Sequence, residues 1–444
     1  INVRDAALEL GIVIESTCAG IGSCAKCKVQ VHGGVSAPSG VELELLTPQE
    51  LAKGVRLSCQ ARLVGDSVCV IPEESLVRSV QILSEGQKGR FPLAPDIRKI
   101  SLRLPEPQLG EKHFDYEQLL RHLGLKHTTH LTAARALPGL LRSHDFNVTA
   151  TVDGDVLVTV EGGDTSGVFL GAAIDIGTTT VVVKLVDLRT GHALAVASAL
   201  NAQRPYGADV VGRIHYAMEH AGGLELLRSL LVRQINELIT EACHSAGVPR
   251  DSIYKLTAVG NTVMQHILLG IDPRNVAMMP YTPAFQGPAT LAAKDLGISI
   301  HPDGLLSVLP NLASFVGSDI TSVLTVLNLD EQDDVQLVVD IGTNGEMVLG
   351  SRRRMVCCSS PAGPAWEGAT ITWGMRAARG AIERAEILNG ELEVRTIGNV
   401  RPIGICGSGL LDLVSEFLRA GIISRSGRIL GPTELDPSVP PGLR

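Results

Sequence analysis

Aromatic residues are nearly missing from this chain. Phe, Tyr and Trp make up 3% of 444 residues, while Gly, Ala, Val and Leu dominate, the balance of an α/β nucleotide-binding protein. Positive charge is not in excess either, and a net charge of −8 argues against nucleic acid as the main partner. No apolar run approaches bilayer-spanning length and no signal-peptide pattern opens the chain, so a membrane is not expected and the expected setting is the cytoplasm. No Gly-x-x-x-x-Gly-Lys-Ser/Thr segment occurs, which excludes a P-loop. Nine cysteines are few for a disulfide framework in a chain this long, and four of them fall in a ligand-like pattern, as in a reducing compartment. The length suits about two to four domains with ample core.

What is present is a repeated turn. Ala173-Ile174-Asp175-Ile176-Gly177-Thr178-Thr179-Thr180 runs into Val181-Val182-Val183. Val338-Val339-Asp340-Ile341-Gly342-Thr343-Asn344-Gly345-Glu346-Met347 runs into Val348-Leu349. Each reads as strand, polar turn, strand. A glycine lets the backbone approach a phosphate, and hydroxyls and turn amides donate to its oxygens. An Asp at a strand end holds Mg²⁺ directly or through water. Asp-Ile-Gly-Thr alone is an ordinary hairpin turn. Two copies, each opening one half of a bilobal domain, predict a nucleotide gripped from both sides of a cleft. The candidate catalytic residues are Asp175, Asp340 and Glu346. The candidate phosphate contacts are Gly177, Thr178, Thr179, Thr180, Gly342, Thr343, Asn344 and Gly345.

Near the start, Cys18, Cys24 and Cys27 are spaced C-x5-C-x2-C, and Cys59 follows in Leu57-Ser58-Cys59-Gln60-Ala61. Four thiolates are what a [2Fe–2S] cluster requires, and a loop of small residues lets backbone amides point at the sulfurs. Structural zinc favours paired knuckles, which only Cys24 and Cys27 fit. Gly20-x-Gly22-x-x-Ala25 imitates a dinucleotide fingerprint, but no strand–turn–helix surrounds it.

These signals divide the chain. Residues 1–75 read as a [2Fe–2S] ferredoxin-like β-grasp domain, with a short helix over 5–11, strands at 28–34 and 55–71, and Cys69 in a strand core. Residues 76–95 read as a linker, and 96–168 as a small middle α/β domain with a helix near 115–124 and strands at 146–160. There His127 and His130 read as a solvated pair, and Asn147-Val148-Thr149 as a chance glycosylation sequon. Residues 169–444 form the large bilobal domain. Within it, 223–247 predicts an amphipathic helix. Gly260-Asn261-Thr262 follows a strand, either facing an anion from a helix N-terminus or merely joining strand to helix. His266 is expected to pack inside that helix. Cys357 and Cys358 read as buried strand residues. Gly404 to Gly409 reads as a Gly-rich loop opening a helix, with Gly407, Ser408 and Gly409 suited to close nucleotide approach.

Taken together, Cys18/Cys24/Cys27/Cys59, Asp175-Ile-Gly-Thr-Thr-Thr180, Gly260-Asn261-Thr262, Asp340-Ile-Gly-Thr-Asn-Gly-Glu346, Ser360-Pro-Ala-Gly-Pro364 and Gly404-Ile-Cys-Gly-Ser-Gly409 closely resemble the reductive activators of corrinoid-dependent methyltransferases. These are ferredoxin-fused members of the superfamily of acetate kinase, sugar kinases, heat-shock chaperone ATPases and actin (ASKHA). The resemblance covers nearly the whole chain. It implies a reductase that passes one electron from its [2Fe–2S] cluster to a corrinoid and couples Co(II) reduction to Co(I) with ATP hydrolysis. It implies that Cys18, Cys24, Cys27 and Cys59 ligate iron. Thr178 to Thr180 and Thr343 to Gly345 would hold phosphates, Asp175 and Asp340 would organise Mg²⁺ and the attacking water, and Gly407 to Gly409 would lie near the nucleotide. It also implies an upstream electron donor and a homodimer. Co(II)/Co(I) couples lie well below typical [2Fe–2S] potentials, so ATP would act by favouring a conformation in which the corrinoid is easier to reduce. No Asp-x-His-x-x-Gly signature occurs, so the corrinoid belongs to a partner protein. The superfamily's late Gly-Gly-rich adenosine loop is missing between Asp412 and Arg444, and Ile1 opens almost directly on a helix, so both ends are expected to be shortened.

Three rivals remain. One is an ATP-gated electron donor to another low-potential metalloenzyme, as in 2-hydroxyacyl-CoA dehydratase activators, which bridge a [4Fe–4S] cluster between subunits and lack a fused ferredoxin domain. The second is a small-molecule kinase, for which no base on a substrate hydroxyl can be named. The third is a nucleotide- and redox-sensing module that does not hydrolyse ATP.

Overall fold

The computed structural model describes the chain except residues 11, 13, 15–19, 21, 23, 24, 73, 74, 76–92, 127–129, 343, 362–370, 372, 376 and 444, and the side chain of 361. Two compact units emerge, one of residues 1–82, 203–216 and 333–444, the other of 83–202 and 217–332.

The first unit begins with α1 (Val3–Glu9), capped by the Asn2 side chain, which accepts from the Asp5 amide. β1 (Lys28–Val35) leads to α2 (Gly40–Leu45) and α3 (Pro48–Ala52), which open with the capping boxes Ser39/Glu42 and Thr47/Glu50. β2 (Val55–Leu57) and β3 (Leu63–Val70) then pair antiparallel on either side of β1. Val3, Ile14, Val29, Val31, Leu57 and Ala61 fill the core of this β-grasp module. Cys69, expected in that core, is half-buried on β3 and packs against its edge.

The second unit opens with β4 (Ile97–Arg103), α4 (Asp115–Leu123), α5 (Leu131–Ser143), β5 (Asn147–Asp153) and β6 (Val156–Gly162). The three strands form an antiparallel sheet, against which Leu119, Leu137 and Leu141 pack over Val148, Ala150 and Leu157. The sequence reading missed α5, which carries Pro138 in its interior. Burial of Ala133, Leu137 and Leu141 outweighs the hydrogen bond that proline removes. His130 is not a solvated residue but the N-cap of α5, its Nδ1 accepting from Ala133 N at 3.3 Å; His127 lies outside the described residues.

A six-stranded sheet follows. β7 (Leu170–Ile176), β8 (Thr180–Asp187) and β9 (Ala193–Leu200) form an antiparallel meander. α6 (Val210–Glu219) straddles the division between the units, and α7 (Gly223–Ala246) buries the stripe Leu227, Leu231, Ile235, Leu238 and Ile239. β10 (Ile253–Gly260) pairs parallel with β7, and α8 (Thr262–Leu269) and α9 (Arg274–Ala277) come next. β11 (Ala289–Ala292), β12 (Leu305–Val308) and α10 (Ser318–Leu327) complete the unit, giving the order β11-β12-β10-β7-β8-β9. His266 is buried within α8 as expected. Its Nε2 accepts from Ala284 N at 3.1 Å, so Nδ1 carries the proton and donates to Thr262 O at 2.7 Å.

A buried polar joint ties the two sheets of this unit together. Lys99 on β4 donates to the Tyr254 hydroxyl on β10 at 2.7 Å and pairs with Glu161 on β6 at 2.9 Å. The Tyr254 hydroxyl donates to Glu161 at 2.8 Å, and His301 stacks on the Tyr254 ring with centroids 4.6 Å apart. Lys255 pairs with Asp153, and Thr159 donates to Asp303 at 2.9 Å. Burial would raise the Glu161 carboxyl, but hydrogen bonds from Thr165, Lys99 and Tyr254 hold it below the usual range.

The first unit resumes with the meander β13 (Gln336–Ile341), β14 (Asn344–Ser351) and β15 (Arg354–Pro361). β16 (Ala381–Leu388), β17 (Glu391–Thr396), β18 (Gly404–Ile405) and α11 (Gly407–Arg419) follow. Cys357 and Cys358 do lie in a strand, but both are exposed, contrary to the sequence reading: they are neighbours on β15, so they point to opposite faces of a three-stranded sheet, and neither face is covered there among the described residues. Among the described residues, no helix is long and apolar enough to cross a membrane.

Candidate functional site

Cys27 ends the loop before β1, and Cys59 sits in a turn after β2. That turn is closed by Gln60 and Ala61 amides donating to Leu57 O, each at 2.8 Å, and joined to β1 by Ser58 N donating to Cys27 O at 2.9 Å. The Cys27 and Cys59 sulfurs, both buried, lie 3.4 Å apart as thiols. Two thiolates on one tetrahedral metal, each at about 2.3 Å, sit at a similar separation. Ser58 Oγ and Arg4 Nη1, beside this turn, are buried with no hydrogen-bond partner among the described residues. Paired buried sulfurs, with two unpartnered donors on residues beside the same turn, fit an iron–sulfur cluster. Cys18 and Cys24, the other two predicted ligands, lie outside the described residues.

The turn is braced by a buried ion pair that sequence reasoning missed. Arg56 donates to Glu42 through Nε at 2.9 Å and Nη2 at 2.8 Å, and to Ser36 O and Ala37 O at 2.7 and 3.2 Å. Glu42 also accepts from Leu57 N at 2.9 Å, two residues before Cys59. Burial would raise the Glu42 carboxyl, but its bonds from Arg56, Ser39 and Leu57 outweigh burial and hold it below the usual range. The Ser-x-x-Glu spacing at Ser39 was the visible signal; the partner at Arg56 was not.

In the second unit, Asp175 is exposed near the end of β7, opposite Val182 on β8 and Val259 on β10. The turn Gly177-Thr178-Thr179 leads into Thr180, and Asn201 holds it from behind, its Nδ2 donating to Gly177 O and its N to Thr179 O, both at 2.8 Å. Thr178, Thr179 and Thr180 are half-exposed. A Cβ at Gly177 would lie 2.7 Å from Thr180 O, so the turn requires glycine. Gly260 and Asn261 are buried instead. The Asn261 side chain caps α8 by accepting from Val263 N at 3.1 Å, and Gly260 exchanges hydrogen bonds with the Ser318 hydroxyl at 3.1 Å. Here the strand–helix connection accounts for both residues.

In the first unit, Asp340, Glu346 and Ser359 stand directly opposite one another across β13, β14 and β15. Ser359 donates to the buried Glu346 carboxylate at 3.4 Å. Burial pushes the Asp340 carboxyl up. Gly342 lies in the intervening turn, its N donating to Asn344 O at 2.9 Å, and Asn344 and Gly345 open β14; Thr343 lies outside the described residues. Gly407, Ser408 and Gly409 are the first turn of α11 rather than a loop. Gly409 is buried where a Cβ would meet Ile382 O at 2.1 Å, so it serves close packing of α11 on β16; Ser408 is exposed. The same helix sends Asp412 and Glu416 to accept from Ala385 N at 3.2 Å and Ile387 N at 3.0 Å.

A ferredoxin module with paired buried thiols and two Asp-bearing hairpins on separate β-meanders define an iron–sulfur protein fused to an ATPase-type fold. Family profiles match in the same order along the chain. They are a 2Fe-2S iron-sulfur cluster binding domain at 2–64, the RACo linker region at 86–167, the RACo middle region at 170–332, and the C-terminal domain of RACo, the ASKHA domain, at 334–437. The corrinoid activation enzyme RamQ of Eubacterium limosum is 30% identical over 442 residues, which are 98% of this chain and 70% of that relative. A [Co(II) methylated amine-specific corrinoid protein] reductase of Methanosarcina barkeri is 23% identical over 299 residues, 59% of this chain and 54% of that relative. The solved structure of a reductive activator for corrinoid, iron-sulfur protein is 38% identical, covers 97% of this chain and 71% of its own, and superimposes with a TM-score of 0.70. The chain belongs to this family, the RACo-type corrinoid reductive activators.

Proposed function

We propose that this protein is an ATP-dependent reductase that restores a partner's corrinoid from Co(II) to Co(I). When bound, the [2Fe–2S] cluster supplies the single electron, becoming oxidised as cobalt is reduced. Cys18, Cys24, Cys27 and Cys59 hold it, fed by a separate upstream donor. Thr178, Thr179 and Thr180 donate to nucleotide phosphates from one hairpin, and Thr343, Asn344 and Gly345 from the other. Asp175 and Asp340 hold Mg²⁺, and Glu346, steadied by Ser359, orients the attacking water. The reading includes a homodimer in a reducing cytoplasm.

The observation that carries this reading is the Cys27–Cys59 sulfur pair on the same chain as two Asp-Ile-Gly-Thr hairpins. The test is anaerobic reconstitution with iron and sulfide, then mixing with a Co(II) corrinoid protein, reductant, Mg²⁺ and ATP. Growth of the Co(I) absorption band only when ATP is present supports the proposal. A loaded cluster with no ATP-dependent Co(I) sinks it and turns attention to other low-potential acceptors.

A further inference from the structure

Around Cys59 the ferredoxin module carries more hydrogen-bond donors than are matched by acceptors among the described residues. Gln60 Nε2 lies 3.6 Å from Cys59 Sγ and donates to Gly20 O at 3.1 Å, so one amide bridges the fourth thiolate and the loop that carries the other ligands. Gly22 is shaped around it, since a Cβ there would lie 2.9 Å from Gln60 Nε2. Across the loop, Arg4 gives Nε and Nη2 to Asp5 at 3.0 and 2.8 Å, leaving Nη1 buried without a partner among the described residues. That Nη1 would lie 2.2 Å from a Cβ at Gly20, so the guanidinium rests directly on the loop backbone. The third donor, Ser58 Oγ, is fully buried, adjacent in sequence to Cys59, and likewise unpartnered among the described residues.

Buried donors without acceptors are rare because each forfeits its bond to water. Arg4 Nη1 and Ser58 Oγ are two such donors beside the thiolate pair, with no acceptor among the described residues, and Gln60 Nε2 adds a third donor within 3.6 Å of Cys59 Sγ. Sulfur of increasing negative charge is an acceptor for such donors, and hydrogen bonds to it favour the reduced state.

We propose that Arg4, Ser58 and Gln60 form a donor shell that sets the reduction potential of the bound cluster, with Gln60 acting through Cys59 Sγ. None of the three is a ligand; they are positioning residues. Gln60→Leu removes the amide and shifts the redox equilibrium toward the oxidised state about tenfold, a fall of about 59 mV for a one-electron couple. Gln60→Glu, nearly isosteric, sets a negative charge there and lowers the potential further. Ser58→Ala removes a single hydroxyl and lowers it less.

The inference rests on the cluster reading and is tested in the full chain, reconstituted with iron and sulfide. EPR-monitored redox titration gives the midpoint, and pulsed EPR in H₂O and D₂O reports exchangeable protons coupled to the reduced cluster. The expected result is a lower midpoint in all three variants, with loss of one exchangeable coupling in Gln60→Leu. Unchanged midpoints and couplings in those variants that load would overturn the proposal, even if cluster retention fell, because a merely structural role alters retention alone. Ser58→Ala keeps the test open should the Gln60 variants fail to load. No cluster in the unaltered protein refutes the cluster reading instead.

Discussion

Replacing Arg56 by methionine leaves Glu42 buried without its cation. Glu42 is fully buried, so it must either remain charged there or take up a proton. Protonating a carboxyl of ordinary pKa about 4.3 at pH 7 costs about 2.7 × 1.36, or roughly 3.7 kcal/mol. Breaking a buried pair by removing one partner costs about 3–5 kcal/mol. Both routes predict a loss of about 3–4 kcal/mol in the ferredoxin module. In the native protein the Glu42 carboxyl is held below its unfolded value, so its contribution is present above that value and lost as pH falls through the folded one. In Arg56→Met the folded carboxyl lies above the unfolded value, so the penalty grows as pH rises and fades as it falls. Between pH 7 and 5 the gap between the two proteins should close by about 1.36 kcal/mol per unit. Hydrogen exchange of peptides spanning 55–61 in the full chain, corrected for intrinsic rates, reads it out, because Leu57 N donates to Glu42. A loss below about 1 kcal/mol at pH 7, or a gap independent of pH, refutes the reasoning. Replacing both partners by apolar residues should restore most of the stability.

Cys59→Ser should abolish the visible absorption of the reconstituted cluster while ATP hydrolysis persists; retained [2Fe–2S] absorption would remove Cys59 from the ligand set. Asp175→Asn and Asp340→Asn should each lower ATP hydrolysis by about 10²-fold or more with an unchanged cluster spectrum, and turnover within a few-fold of the native protein would dismiss the Mg²⁺ assignment. Lys99→Met should destabilise the docking of the β4–β6 sheet on the β7–β12 sheet by about 3 kcal/mol, measured as faster exchange in both. Because Glu161 is held below the usual carboxyl range, the same docking should hold above about pH 4.3 and weaken as pH falls through the lower folded value.

Local signals were legible. Cys27 and Cys59 meet as their spacing implied, and Asp175 and Asp340 both sit near strand ends at hairpin turns. What escaped was set by partners distant in sequence. Glu42 closes a capping box with Ser39 and is also half of a buried pair, with Arg56 fourteen positions on. Glycine was ambiguous for the same reason. Gly177 is demanded by its own turn, whereas Gly409 answers to the backbone of Ile382, a contact that only the folded chain creates. In Met355-Val356-Cys357-Cys358, apolar residues run on both faces, so alternation could not tell a covered strand from an exposed one. Pro138 hid α5 because its tolerance depends on the leucines packed beneath it.

The parallel pairing of β7 with β10 sets an order of biosynthesis. Ile176 lies beside Gly260, so the sheet edge bearing Asp175 stays unpaired on one side until the ribosome has delivered β10. At about 5–20 residues per second, that wait is roughly 4–17 s. The β-grasp core, by contrast, closes between residues 3 and 61, all of them synthesised before β7. The module that carries Cys27 and Cys59 can therefore close its core before the segments that carry Asp175 and Asp340 have been made.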